Sequence, residues 1–252
     1  MKPKRFLSQN FLTDERYIQK ILEHLDISGK NVLEVGAGKG QISIYLTREA
    51  KRLYCVEIDE RFCNYLKDKF SKNSNVEIIH GDILNFPFSR LRKKAVVFGN
   101  IPYRISSLLV EYLIRHRAYI LGAYLTFQKE FVQKIMAHHS SGQYGFISCY
   151  VQYYAKIDRL FDIPSGAFWP TPKVDSSFIK MEFYRVQPYV AIDENFLFRI
   201  IRKAFSCRRK KIINSLYLAK DIFRSVKINP DLRPENLSLK DYVAIANKIY
   251  PA

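Results

Sequence analysis

The chain has 252 residues, 48% of them hydrophobic, and a formal net charge of +17. This length suffices for one large domain, or for one domain with a small addition. No stretch approaches the roughly 20 apolar residues of a membrane span, and the basic start at residues 1–5 lacks the apolar segment of a signal peptide. The four cysteines form no C-x-x-C pair, which favours reduced thiols over disulfides or zinc. We therefore expect a cytoplasmic protein with no metal and no membrane partner, and the positive charge favours a nucleic acid as partner.

Strand and helix patterns alternate through the first two thirds of the chain. We predict strands at residues 31–35, 52–58, 76–80, 95–98 and 118–127. We predict helices at residues 14–25, 42–50, 59–70, 107–116 and 129–137. Repeated β–α units imply a mostly parallel sheet with helices on both faces.

The later part of the chain changes character. Residues 147–157 and 176–183 are predicted as an antiparallel pair of strands at one edge of the sheet, and residues 194–252 carry only helical patterns. We place a domain boundary near residue 186. The sequence thus predicts an α/β, Rossmann-like domain at residues 1–186, followed by a small all-helical domain at residues 187–252.

A glycine-rich turn and two acids follow successive predicted strands. The turn Glu34–Gly40 has the spacing G-x-G-x-G, which matches neither the dinucleotide motif nor a phosphate loop. Glu57 ends the next strand, where a carboxylate can accept hydrogen bonds from both ribose hydroxyls. Asp82 follows the third strand, where an acid can accept from an adenine amino group. These features indicate a nucleoside without phosphates, which favours S-adenosyl-L-methionine over NAD.

The four residues Asn100-Ile101-Pro102-Tyr103 follow another predicted strand. An exocyclic amine conjugated to a ring is a poor nucleophile, because its lone pair is delocalised. The Asn100 side-chain oxygen and the Pro102 carbonyl can hold the two amine hydrogens and so free that lone pair, while the proline stiffens the turn. Tyr103 offers a flat face on which a base can stack. The segment therefore predicts methyl transfer to an amino group of a base.

Together these segments resemble the rRNA adenine N6-dimethyltransferases. Residues 5–12 are similar to the N-terminal Q-N-F-L signature of that family, and residues 168–177 are similar to its F-x-P-x-P-K-V-D-S element. Ser8 stands where a glycine is common, and Trp169 is bulkier than the usual residue. The resemblance spans nearly the whole chain and implies a Rossmann-like S-adenosylmethionine-dependent methyltransferase.

Two branches of the family compete. The KsgA type modifies small-subunit rRNA, whereas the Erm type modifies large-subunit rRNA and confers antibiotic resistance. Residues 205–216, with Arg208-Arg209-Lys210 and Asn214-Ser215-Leu216, and residues 233–238 resemble the KsgA type. This resemblance implies dimethylation of adenine N6 on two adjacent adenosines near the 3′ end of small-subunit (16S) rRNA, within a pre-ribosomal particle during ribosome biogenesis. We expect a monomer.

The resemblance also implies roles for individual residues. The cofactor would be held by Asn10, Leu12, Gly36, Gly38, Glu57, Asp82 and Asn100. The catalytic set would be Asn100, Pro102, Tyr103 and Phe168, with Tyr103 and Phe168 covering opposite faces of the target adenine.

Two basic runs are predicted to bind RNA. The first is expected on one helical stretch and comprises Arg202, Lys203, Arg208, Arg209, Lys210 and Lys211. The second flanks the site and comprises Arg90, Arg92, Lys93, Lys94 and Arg104.

Three alternatives stay open from the sequence. One is an Erm-type enzyme, and another is a DNA adenine methyltransferase, although no target-recognition domain is evident. The third is a ribosome-assembly or transcription factor that binds RNA and cofactor without turnover.

Overall fold

A computed structural model describes residues 9–251. The strands are β1 Phe11–Leu12, β2 Asn31–Val35, β3 Arg52–Glu57, β4 Val76–His80, β5 Ala95–Asn100, β6 Ile120–Gln128, β7 Ala155–Ile163, β8 Phe168–Trp169 and β9 Ser176–Phe183. The helices are α1 Glu15–His24, α2 Ser43–Glu49, α3 Glu60–Lys69, α4 Ser106–Arg115, α5 Lys129–Met136, α6 Phe146–Tyr154, α7 Glu194–Ser206, α8 Ile212–Leu216, α9 Lys220–Ser225 and α10 Leu239–Ile249.

A seven-stranded sheet forms the centre of the α/β part, in the order β4-β3-β2-β5-β6-β9-β7. The pairs β3–β4, β2–β3, β2–β5 and β5–β6 are parallel, and β9 runs antiparallel to β6. The predicted α/β class with a mostly parallel sheet is therefore confirmed. The short strands β1 and β8 pair separately, with Leu12 opposite Phe168.

The register of the parallel strands aligns their carboxyl ends. Val35 pairs with Val56 on one side and with Gly99 on the other. The residues that follow these three positions therefore emerge together at one edge of the sheet, which is where open α/β sheets place their ligands.

The contacts of the chain separate it into two compact units. One unit holds residues 9–132 and 157–183, and the other holds residues 133–156 and 184–251. The sequence placed the boundary near residue 186, close to the break at Phe183, but it did not anticipate that residues 133–156 pack with the later helices.

The first unit has an apolar core of sheet residues and the helices on its faces. Every residue of β2 is buried, as expected for a central strand covered on both sides. The core includes Leu33, Leu46, Leu53, Leu66 and Val97.

The second unit is built mainly of helices. Asp193 caps α7 by accepting from the Phe196 amide at 2.7 Å, and Ser238 forms a capping box at α10. Tyr242 is buried and donates its hydroxyl to the Pro234 carbonyl at 2.8 Å.

The strand predicted at residues 147–157 is wrong over most of its length, because Phe146–Tyr154 is helical. Its β-branched and aromatic residues favour a strand locally. Ser148 instead caps the helix start, accepting from the Gly145 amide at 3.0 Å and donating to the Lys134 carbonyl at 2.6 Å. Tyr150, Tyr153 and Tyr154 pack their rings on Phe198, so tertiary packing overrides the local preference.

Among the residues that the structure describes, no helix is long and apolar enough to cross a membrane.

Candidate active site

A pocket opens at the carboxyl ends of β2, β3 and β5. Its wall includes seven of the residues singled out from the sequence: Asn10, Leu12, Gly36, Gly38, Glu57, Asp82 and Asn100. Pro102 and Tyr103 line it as well. Parallel pairing thus brings the residues that follow β2, β3 and β5 to one edge of the sheet, and the N-terminal segment adds Asn10 and Leu12.

The glycine-rich turn forms one wall of the pocket. Gly36, Gly38 and Gly40 all have positive φ, a backbone conformation that favours glycine. A Cβ atom at Gly38 would lie 2.7 Å from the Phe11 ring, whereas one at Gly36 would meet nothing within 4 Å. Glycine is therefore needed at position 38 because a side chain there would collide with the Phe11 ring. At Gly36 the backbone instead borders open space.

Glu57 ends β3 with its carboxylate fixed by two backbone donors. One oxygen accepts from the Gly38 amide and the other from the Asp59 amide, both at 2.9 Å. The residue is only 4% exposed. Burial raises the pKa of Glu57, and the two hydrogen bonds oppose that rise. Each carboxylate oxygen retains a further lone pair for a ligand donor.

Asp82 lies beyond the end of β4 and is half-buried. Its Oδ1 caps a short turn of helix by accepting from the Leu84 amide at 2.9 Å. This bond fixes the side chain and leaves Oδ2 without a partner in the described part of the chain. Asp82 therefore presents an acceptor at the pocket wall.

Glu34 is a buried acid that the sequence placed in the glycine-rich segment without giving it a role. It lines the pocket and is 3% exposed. Burial raises the pKa of Glu34 to about 7, and the Cys55 thiol donates to its Oε2 at 3.4 Å. Glu34 thus carries a proton over much of the range below neutral pH.

Asn100 ends β5 and contacts the N-terminal segment. Its Nδ2 donates to the main-chain carbonyl of Asn10 at 2.8 Å. The side-chain oxygen accepts no hydrogen bond within residues 9–251. Because the nitrogen is held by Asn10, the amide presents its oxygen as an available acceptor.

The next residues form a tight turn. The Pro102 carbonyl accepts from the Ile105 amide at 3.0 Å, which fixes its direction and leaves its second lone pair available. The Tyr103 hydroxyl lies 3.0 Å from the Ser176 hydroxyl. Burial raises the pKa of Tyr103, so the phenol is neutral at physiological pH.

Phe168 does not line this pocket. It is 3% exposed and belongs to the core of the first unit, together with Leu12 and Phe178. Its neighbour Trp169 is 49% exposed, and the Lys39 ammonium lies 5.5 Å from its ring centroid. Phe168 therefore packs in the core of the first unit, and its expected contact with a target base stays a prediction.

The basic residues of the second unit do not share one helical stretch. Arg202 and Lys203 lie in α7, whereas Arg208–Lys211 form the turn between α7 and α8. Arg208 donates to the Gly142 carbonyl at 2.7 Å and lies 3.5 Å from the Glu235 carboxylate, and Lys211 pairs with Asp231 at 2.8 Å. Arg209 and Lys210 are exposed and have no ion-pair partner among the described residues.

The second basic run is divided in the same way. Arg90 pairs with Glu77 at 2.7 Å, and Arg104 lines the pocket. Arg92, Lys93 and Lys94 are exposed.

The chain matches known proteins over nearly its whole length. The sequence model of the family described as "Ribosomal RNA adenine dimethylase" matches residues 1–250. The chain belongs to this family.

A relative from Pseudomonas aeruginosa, the ribosomal RNA small subunit methyltransferase A, is 36% identical over 252 residues, which cover 98% of this chain and 94% of the relative. The fold is shared with solved structures of two methyl-transferring enzymes. A dimethyladenosine transferase from Plasmodium falciparum superposes with a TM-score of 0.81 at 24% identity, covering 93% of this chain and 95% of that one. The 23S rRNA methyltransferase ErmE superposes with a TM-score of 0.73 at 21% identity, covering 95% of this chain and 99% of that one. At these identities the likeness establishes the methyltransferase fold.

Family membership implies S-adenosyl-L-methionine as cofactor, and the pocket of this rRNA adenine dimethylase fits it. The open space at Gly36 admits a ligand against the backbone. The acceptors of Glu57 and Asp82 suit a ribose and an adenine amine.

Among the apolar pocket residues missed from the sequence, two stand next to the acids. Ile58 and Ile83 each directly follow one of the two acids and line the pocket. Ile58 is 43% exposed, which is high for its type. An adenine ring needs apolar cover as well as hydrogen bonds, so an isoleucine after each strand-end acid was the available signal.

The start of the N-terminal signature, residues 5–8, lies outside the described residues.

Proposed function

We propose that this protein uses S-adenosyl-L-methionine to dimethylate adenine N6 on two adjacent adenosines near the 3′ end of small-subunit rRNA. Membership of the rRNA adenine dimethylase family supports the reaction, and the small-subunit relative supports the target. We further propose that the enzyme is a cytoplasmic monomer that acts on a partly assembled particle. The observation that carries the chemistry is Asn100, whose amide is held by Asn10 with its oxygen available at the pocket wall.

The cofactor roles follow from the donors and acceptors of the pocket. Glu57 accepts from the ribose hydroxyls and Asp82 from the adenine amine. Ile58 and Ile83 provide apolar contact for the adenine ring. Gly36 and Gly38 pass close to the methionine part, and Asn10 and Leu12 close the pocket from the N-terminal segment.

The bound cofactor supplies an electrophilic methyl group on a sulfonium. The protein then needs to align the amine and remove water from it. Asn100 Oδ1 and the Pro102 carbonyl accept the two N6 hydrogens and stabilise the positive charge that develops on the nitrogen. No residue has to act as a strong base, because the amine becomes acidic after it has gained the methyl group.

Tyr103 positions the target base. Its ring stacks on the adenine after the base has left the RNA stack. Ser176 is buried, and the bond between its hydroxyl and that of Tyr103 restricts the ring, so the platform is set before RNA binds. Cover of the other face of the target adenine is assigned to Phe168 by resemblance alone.

Transfer of tritium from labelled S-adenosylmethionine tests this function. The substrates are small subunits that lack the modification, naked small-subunit rRNA, large-subunit rRNA and DNA. We expect label in the small subunits above all others. Preference for naked large-subunit rRNA would favour the Erm alternative. Label in DNA would favour the DNA-methyltransferase alternative, and the absence of label from every substrate would favour the non-catalytic factor.

A further inference from the structure

Tyr217 combines an unusual backbone conformation with an exposed ring. It follows the last residue of α8 with φ 58° and ψ 44°, in the left-handed region. Glycine and asparagine are the usual residues there, and a bulky side chain is uncommon. The side chain does not gain burial in return, because the residue is 75% exposed. The fold itself therefore gives no reason for a tyrosine at this position.

The ring lies within the most basic part of the chain. Residues 195–220 contain eight lysines and arginines and no aspartate or glutamate. The Lys203 ammonium lies 5.2 Å from the centroid of the Tyr217 ring and donates to the Leu216 carbonyl at 3.2 Å. This bond fixes one cation against the ring. Arg209, Lys210 and Lys220 are exposed and have no ion-pair partner in the described ranges.

An exposed aromatic ring with one cation beside it, in a segment rich in exposed basic residues, suits single-stranded nucleic acid. The cations attract phosphates, and the ring stacks on a base regardless of its identity. Paired bases inside a duplex do not offer a free face for such stacking. A strained backbone that presents a side chain to solvent is typical of a functional position rather than of a packing position.

We propose that Tyr217 is a stacking platform for an unpaired RNA base, with Lys203, Arg209 and Lys210 contacting the adjoining phosphates. This inference rests on the proposed RNA substrate and adds a second base-binding position, in the other unit from the Tyr103 pocket.

Binding of two RNA probes to the full chain tests the proposal. The probes are a single-stranded 12-nucleotide oligoadenylate and a fully paired RNA duplex of 12 base pairs. Their binding is measured by fluorescence anisotropy at several salt concentrations. The variants are Tyr217→Asn, which suits the left-handed backbone, and Tyr217→Phe, which keeps the ring. Tyr65→Gln is a matched control, because Tyr65 is also exposed and has the Lys69 ammonium 5.8 Å from its ring.

We expect Tyr217→Asn to weaken binding of the single strand about 5- to 150-fold, the range for losing one stacked base. The salt dependence of RNA binding by this variant, and its affinity for the duplex, should stay as in the wild type. Tyr217→Phe and Tyr65→Gln should bind both probes as the wild type does. The melting temperature of Tyr217→Asn should equal or exceed that of the wild type, because asparagine tolerates positive φ.

An unchanged affinity of Tyr217→Asn for the single strand would overturn the proposal. An equal loss of affinity for both probes would also overturn it. The same holds if Tyr217→Phe loses as much affinity for the single strand as Tyr217→Asn does. Arg209→Gln separates this failure from failure of the proposed function. If Arg209→Gln weakens RNA binding while Tyr217→Asn does not, RNA binding stands and only the stacking site is wrong. If the wild type binds neither probe, the stacking proposal fails, and the methylation assay with small subunits decides the proposed function separately.

Discussion

The Asn100 side chain donates a hydrogen bond to the main-chain carbonyl of Asn10 at 2.8 Å. This bond joins the end of β5 to the segment before β1, across 90 residues of sequence. It also decides which end of the amide is available, because the nitrogen is engaged and the oxygen has no partner within residues 9–251. The N-terminal segment therefore helps to set the acceptor on which the proposed chemistry depends.

Asn100→Ala should reduce methyl transfer by roughly 100-fold or more, the scale for losing one preorganised transition-state partner. The reason is that the variant lacks the oxygen that holds the target amine. Single-turnover rates with saturating RNA and cofactor measure this effect without contributions from binding. RNA affinity should persist.

Asn100→Asp is the matched control, because it keeps oxygen acceptors and loses only the donor to Asn10. We expect it to retain more activity than Asn100→Ala. A near-normal single-turnover rate in Asn100→Ala would show that the residue does not take part in transfer.

Glu57→Ala should weaken cofactor binding by about 1.5–3 kcal/mol, the range for a hydrogen bond to a charged group. The variant removes the proposed ribose acceptor and also leaves the Gly38 and Asp59 amides without their partner. Calorimetry measures the change, and Glu57→Gln should lose less because it keeps one acceptor oxygen. RNA affinity in the absence of cofactor should barely change. Unaltered cofactor affinity in Glu57→Ala would remove this residue from the site.

Glu34 should make the protein less stable as pH rises. Its pKa is about 7 in the folded state and 4.5 at its ordinary value. Between these values the folded state binds more protons than the unfolded state, so the free energy of unfolding falls with rising pH. The folded and ordinary pKa values of Glu34 differ by about 2.5 units, which corresponds to about 3 kcal/mol in the free energy of unfolding. This stability is lost between roughly pH 4.5 and pH 7.

Glu34→Gln isolates this effect, because it keeps the shape of the side chain and removes the titration. Glu57, whose pKa is also raised, stays the same in both proteins. Urea unfolding at pH 4.5 and pH 8 should show the wild type losing stability relative to the variant. A constant difference between the two proteins across this range would contradict the assignment.

Arg209 and Lys210 should dominate the salt-dependent part of RNA binding in the second unit. Arg209→Gln with Lys210→Gln should reduce the slope of log affinity against log salt by up to about two units, because each phosphate contact contributes about one. Cofactor affinity should not change. Arg208→Gln is a useful comparison, because Arg208 already bonds to Gly142 and Glu235. This substitution should lower the melting temperature of the protein and leave the salt slope of RNA binding nearly unchanged. A double variant with the wild-type slope would exclude this turn from RNA contact.

The sequence could predict the parallel sheet and the residues at the strand ends, because these features depend on local pattern and on the geometry of β–α units. It could not predict the helix Phe146–Tyr154, since packing on Phe198 outweighs the local preference for a strand. For the same reason it could not assign residues 133–156 to the second unit.

Parts of the site were also beyond the sequence. The partner of the Asn100 amide is a backbone carbonyl, which no side-chain pattern reveals. The burial of Phe168 depends on how β8 pairs with β1, and two-residue strands carry almost no periodic signal. Arg208 is bonded within its unit, whereas Arg209 has no ion-pair partner within residues 9–251. This distinction requires the positions of Gly142 and Glu235.

The most direct test of the proposed reaction is the methylation stoichiometry of small subunits that lack the modification. After incubation with the protein and S-adenosylmethionine, the rRNA is digested to nucleosides and N6,N6-dimethyladenosine is quantified by mass spectrometry. The proposal predicts two such nucleosides per small subunit with the wild type, and almost none with Asn100→Ala over the same time. Absence of dimethyladenosine from wild-type reactions, or its appearance in large-subunit rRNA instead, would contradict it.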